Sequence, residues 1–235
     1  MSELVTYRLE EGVATIAMDD GKANALSPTM LSQLNAALDR AAADRAIVIL
    51  TGRPGMFSAG FDLSVITARG SNAVTMIRQG FELAERLLSY PAPLIVACSG
   101  HALAMGVFLV LTGDYCVGAD GAYKIGANEV AIGLPMPRAA IEICRQRLAP
   151  AHLNRALITS EIYTPDAAVA AGFLDRVVTG SELQDEARAA AARFARLDRN
   201  ALAATKRLAR EPTLKALGGA IEEDAVTFRT LMGVP

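Results

Sequence analysis

Two uninterrupted apolar runs, AIVILTG (Ala46 to Gly52) and PLIVACSG (Pro93 to Gly100), most constrain what this chain folds into. They lack the polar alternation of a strand with one wet face. Each therefore reads as a strand covered on both sides, the situation of parallel strands flanked by helices. Between them, Ser71 to Ser89 repeats its apolar residues at helical spacing. Upstream, Ser27 is placed to cap a helix that opens on Pro28 and runs through LSQLNAALDRAA. VTYRL and VATIAMD, joined by EEG, alternate as the arms of a hairpin do. Strand and helix thus alternate through the first half, which predicts an α/β fold with mostly parallel strands.

From about Pro137 the pattern becomes helix after helix. RAAIEICRQRL is amphipathic, TPDAAVAAGF has a cap at Thr164, and SELQDEARAAAARFARL carries a capping box opened by Ser181. Residues 1–180 are read as one core domain and residues 181–235 as a C-terminal helical appendage that buries its apolar stripe against the core or a neighbouring subunit.

Composition excludes several function classes. The formal net charge of -2 and the spread of Lys and Arg argue against nucleic acid; only KRLAR (Lys206 to Arg210) clusters basic residues, and it reads as the wet face of a helix. The longest apolar run, Ala102 to Leu111, is far short of the roughly 20 residues of a membrane span. The first residues, MSELVTYRLEEGV, are acidic and do not resemble a secretory signal. Cys98, Cys116 and Cys144 stand singly, and the chain has two histidines, so neither disulfides nor a metal site is expected and a reducing cytoplasm is the natural location.

Chemistry is suggested by two turns of small residues. FSAGFDL (Phe57 to Leu63) follows the first buried strand closely, and SGHALAMG (Ser99 to Gly106) follows the second, with a helix beginning near Ala104 or Met105. The first N–H groups of a helix have no partner within it and face a negative oxygen favourably. Two such turns can bring backbone donors together; taken singly, each is also an ordinary strand-to-helix connection.

KANAL (Lys22 to Leu26), FSAGFDL, SGHALAMG, GDYCVGA (Gly113 to Ala119) and NEVAIGLP (Asn128 to Pro135) together resemble the crotonase superfamily, the enoyl-CoA hydratases and isomerases, over nearly the whole chain. The resemblance implies a spiral of repeated β-β-α units, a C-terminal helical part that makes trimer or hexamer contacts, and a thioester carbonyl held in an oxyanion hole. It implies an acyl-CoA substrate with no separate cofactor. Carried over by position, the hole donors are the N–H groups of Ala59 and Met105; Lys22, Ala23 and Ala25 lie along the CoA; Ala59, Gly60, Phe61 and Asp62 flank it; and Met105, Gly106 and Phe108 adjoin the acyl group. Lys206 or Arg207 is a candidate for the CoA phosphate.

One departure governs the mechanism. Hydratases of the family use two glutamates; the second is Glu129, but Phe108 occupies the place of the first. Phe cannot orient water or move a proton. Moving a double bond between positions 3 and 2 needs one base, and a lone Glu129 with its pKa raised by apolar neighbours such as Ile132 and Phe108 suits that task. Asp62 reads as a turn-stabilising acid, and His101 either approaches substrate or is structural. Three alternatives stay open: Glu129 as a structural acid paired with Arg138, a non-catalytic acyl-CoA-binding protein, and a thioester or C–C bond hydrolase.

Overall fold

The computed structural model describes residues 3–234. A hairpin opens the chain, β1 (Val5–Glu10) and β2 (Val13–Met18), turning through Glu11 and Gly12, both at positive φ. Helix α1 (Pro28–Ala43) follows, and the Ser27 hydroxyl accepts the Met30 N–H as the sequence predicts. Next come β3 (Ile47–Thr51), β4 (Gly55–Ser58), α2 (Leu63–Ala68) and α3 (Ser71–Leu88). The same order recurs in β5 (Leu94–Cys98), β6 (Gly100–Leu103) and α4 (Met105–Val110), and again in β7 (Tyr115–Ala119) and β8 (Ile125–Gly126), which lead through a 3-10 turn, Val130–Ile132, to α5 (Arg138–Arg145). The chain closes with α6 (Pro150–Ile158), α7 (Pro165–Ala171), β9 (Arg176–Val178), α8 (Leu183–Phe194) and α9 (Arg199–Met232).

Each repeat sends its two strands to different sheets. The larger sheet has the order β1-β2-β3-β5-β7-β9 and is parallel beyond the hairpin; the smaller is β4-β6-β8, all parallel. The all-apolar sequence of β3 and β5 follows from burial of both faces. Val48, Leu50, Leu94 and Val96 join the main core with α1 and α3, while Ile47, Ile49, Ile95 and Ala97 face Leu183, Ala187, Ala190 and Ala191 of α8. Tight strand crossings explain Gly100, where a Cβ would lie 2.0 Å from the Gly55 carbonyl carbon.

The second half departs from the expected run of helices, because β9 interrupts it and pairs with β7. Three residues are too few to show a period, and their place at the sheet edge is set by tertiary pairing. The cap of α8 also differs. Ser181 does not cap it; Glu182 is the residue before the helix, and its carboxylate reaches back to the Thr179 N–H and hydroxyl. The α7 cap at Thr164 is as expected, its hydroxyl accepting the Ala167 N–H at 3.4 Å.

KRLAR is not simply a wet face. Lys206 Nζ lies 2.6 Å and Arg210 Nη2 3.0 Å from Asp114, and their side chains are only 8% and 13% exposed. Asp114 also accepts the Leu94 N–H at 2.8 Å, and Lys206 donates to Ala92 O at 3.2 Å. This knot ties α9 to the entrance of β5, and it commits Lys206 away from the CoA-phosphate role. Asp114→Asn would leave two largely buried cations without their counter-charge. Such loss costs about 3 kcal/mol, so thermal unfolding should show a melting temperature lower by about 10 °C, whereas Arg207→Ala, on the exposed side of the same helix, should stay within about 0.5 kcal/mol of the parent.

Candidate active site

The parallel pairing β4-β6-β8 brings three segments side by side. The 59–61 turn leaves the C-terminal end of β4, Ala104 and Met105 leave that of β6, and Ala127 to Glu129 leave that of β8. Leu103 is in register with Gly126, and the Ala104 N–H donates to Gly126 O at 3.2 Å. In open parallel sheets, the ends of strands on this side are where ligands bind.

Contact between the first two segments is close. A Cβ at Gly60, whose φ is +96°, would meet Ala104 Cβ at 2.8 Å and Met105 N at 3.2 Å. Only a residue without a side chain allows this approach in that conformation. Met105 is the first residue of α4, so its N–H has no partner within the helix. Ala104 takes a left-handed φ of 49° just before it.

The donor expected at Ala59 requires correction. The Ala59 N–H is committed to Ala23 O at 3.0 Å, and the Gly60 N–H to the Ser58 hydroxyl at 3.2 Å. The next N–H, that of Phe61, has no hydrogen-bond partner among the described residues. The sequence shows the turn but not which amide is spent, because that depends on pairing with the distant 23–26 segment. Leu26 N–H in turn holds Gly60 O at 2.8 Å.

The side chains beside these amides turn to α3. A Cβ on Gly80 would overlap the Phe61 ring at 2.4 Å and approach Met105 Cγ at 3.6 Å. Gly80 therefore makes room for both, a requirement that sequence reading did not identify. Phe61 meets Phe81 edge-on at 6.2 Å between ring centres, and Phe81 stacks on Phe108 at 6.3 Å. Phe108 is buried, and so is the whole of α4. The place where a second acid was sought is an aromatic layer with no polar atom of its own.

Glu129 is 7% exposed, and its Oε2 has no hydrogen-bond partner among the described residues. Burial pushes its pKa up to about 7, opposed only by its own backbone N–H. Ile132, expected to cover it, is 55% exposed. Instead Cys144 of α5 lies near enough for the carboxylate to push the thiol's pKa up further, beyond the larger effect of its burial. The Arg138 pairing is absent: Arg138 binds Glu223 at 3.0 Å and Asp224 at 3.3 Å.

The remaining expected residues are placed as follows. Lys22 is exposed, with its carbonyl accepting Arg53 Nε at 3.0 Å; Ala23 and Ala25 are half-buried. Asp62 caps α2 by accepting the Ser64 N–H at 2.9 Å and hydroxyl at 2.6 Å. Gly106 packs on Ser58, with room for no Cβ. His101 Nδ1 accepts the Lys124 N–H at 2.9 Å. Among the described residues, no group of three His, Cys, Asp or Glu side chains is placed to hold a metal.

The model of the enoyl-CoA hydratase/isomerase family matches residues 8–233. A probable enoyl-CoA hydratase of Mycobacterium avium is 33% identical over 201 residues, 84% of this chain and 77% of its own. The solved structure of an enoyl-CoA hydratase/isomerase family protein from Pseudomonas syringae matches at 49% identity and a TM-score of 0.93, over 94% of this chain and 96% of that one. The apo structure of an enoyl-CoA isomerase of Mycobacterium tuberculosis matches at 44% identity and a TM-score of 0.92, over 96% and 99%. With this fold, these strand ends and these relatives, the chain is an enzyme-family member of the crotonase superfamily and belongs to the enoyl-CoA hydratases and isomerases.

Proposed function

We propose that the protein moves the double bond of an enoyl-CoA thioester between positions 3 and 2, with Glu129 as the single base. The observation that carries this reading is the pairing of a buried carboxyl, whose Oε2 has no partner among the described residues, with an aromatic layer of Phe61, Phe81 and Phe108 in which Phe108 stands where a hydratase would place its other acid. The enolate oxygen sits between the Phe61 and Met105 N–H groups. The CoA runs along Lys22, Ala23 and Ala25 and past residues 59–62.

The steps balance within one side chain. The Glu129 carboxylate takes a proton from C2 of a 3-enoyl thioester, and the C–H electrons pass to the thioester oxygen as a dienolate. The Glu129 carboxylic acid then returns the proton to C4, the C=O re-forms, and the double bond lies between C2 and C3. Each backbone donor is worth about 3 kcal/mol to such an anion. No cofactor takes part, because the proton carrier and the anion donors all belong to this chain.

Glu129→Gln keeps the shape and removes the base. Incubation with a 3-enoyl-CoA, followed by mass spectrometry and absorbance of the 2-enoyl product, should show a rate at least about 100-fold lower. Rates comparable to the parent would contradict the assignment, and a product heavier by one water would favour hydration. The parent's kcat/KM should rise with pH through about 7, where Glu129 ionises in the free enzyme.

The same pKa sets a stability trend. The unfolded carboxyl ionises near its ordinary value of 4.5, while the folded one stays protonated up to about 7. The folded state therefore holds the extra proton in this window, and stability is lost as pH rises through it. Glu129→Gln should melt several degrees higher than the parent at pH 8.5, with the difference gone at pH 4.5 if both remain folded there.

The reading extends to assembly and location. A homotrimer, or a dimer of trimers, would cover Leu208 and Val226 of α9, which are 62% and 65% exposed. Sedimentation should give three or six chain masses; a single chain mass would refute it. Buried, free Cys98, Cys116 and Cys144 support a reducing cytoplasm.

A further inference from the structure

Ser58, the last residue of β4, has no place in the chemistry above, yet it is fully buried between the two proposed anion donors. Its hydroxyl donates to Asn24 O at 2.8 Å and accepts the Gly60 N–H at 3.2 Å. On its other side it meets α4: a Cβ on Gly106 would lie 2.3 Å from Ser58 O and 2.9 Å from Ser58 Cβ. One residue thus touches both halves of the site, the turn that carries Phe61 and the first turn of the helix that carries Met105.

The anchor of this contact is rigid. Asn24 is fully buried at a left-handed φ of 49°, and its Nδ2 donates to Met18 O, Met56 O and Phe57 O at 3.0 to 3.1 Å. Its N–H is held by Asp20 at 2.8 Å, and Asp20 also holds the N–H groups of Lys22 and Ala25. Asn24 O is therefore fixed relative to β2 and β4, and the Ser58 hydroxyl transmits that position to Gly60. With the Ala59 and Gly60 amides both spent, Phe61 is the N–H left to face a ligand.

We propose that Ser58 is a positioning residue, whose hydroxyl sets the 59–61 turn against α4 so that the Phe61 and Met105 amides converge on one oxygen. The proposal rests on the reading of those two amides as the anion donors. Ser58→Ala would leave the Gly60 N–H and Asn24 O without their link and let the turn shift. A misplacement of the order of an ångström can cost about 100-fold, so Ser58→Ala should lower kcat by at least about tenfold with a smaller change in KM.

The readout that a merely structural role would not move is carbonyl polarisation. A bound 2,4-dienoyl-CoA absorbs further to the red when its thioester oxygen is held by two donors. The parent and Glu129→Gln should both show the red shift, Ser58→Ala a smaller one per bound ligand, and Ser58→Cys an intermediate one. A folded Ser58→Ala with the full shift and the parent's kcat would overturn the proposal and leave the donor assignment standing. Were Ser58→Ala not to fold, a full shift in Ser58→Cys with the parent's kcat would overturn it equally. Absence of any red shift in the parent would overturn the donor assignment and the proposal together.

Discussion

The site depends on three parallel strands that end side by side. Because β6 lies between β4 and β8, the amide at the start of α4 has the 59–61 turn on one flank and Glu129 on the other. None of these groups is brought near by sequence. Burial of both faces of β3 and β5 gives the framework its rigidity, and the crossing of each repeat into the smaller sheet carries that rigidity to the strand ends. A hydrogen-bond pair aimed at a developing charge is useful only when it needs no rearrangement at the moment of reaction.

The chemistry proposed for the site matches its electrostatics. A carboxylate buried among apolar groups without a counter-ion is costly to ionise, and burial accordingly raises the Glu129 pKa to about 7. An arginine partner would remove that cost and hold the group ionised. Arg138 is instead engaged by Glu223 and Asp224, and it serves to fasten α5 to α9.

Much of this was legible in the sequence, and the exceptions have physical causes. The strands β3 and β5, the helix caps at Ser27 and Thr164, and the loop-to-helix start at Met105 follow from local pattern. Strand β9 does not, because three residues owe their conformation to β7. KRLAR reads as solvated by charge alone, and only the fold brings Asp114 to Lys206 and Arg210. The amide spent at Ala59 is invisible for the same reason, since its acceptor is Ala23. Family resemblance located the turn; the pairing of 23–26 with 58–60 decides which N–H is free.

The one-base account is tested most directly by following a single hydrogen. A 3-enoyl-CoA carrying deuterium at C2 would be converted in ordinary water for less than one turnover, and the product examined by NMR and mass spectrometry. Glu129 acting alone predicts that part of the label reappears at C4 of the 2-enoyl product, carried there by the same carboxyl. A C4 hydrogen derived wholly from solvent at the earliest times, or a hydrated product, would contradict a single shuttling base.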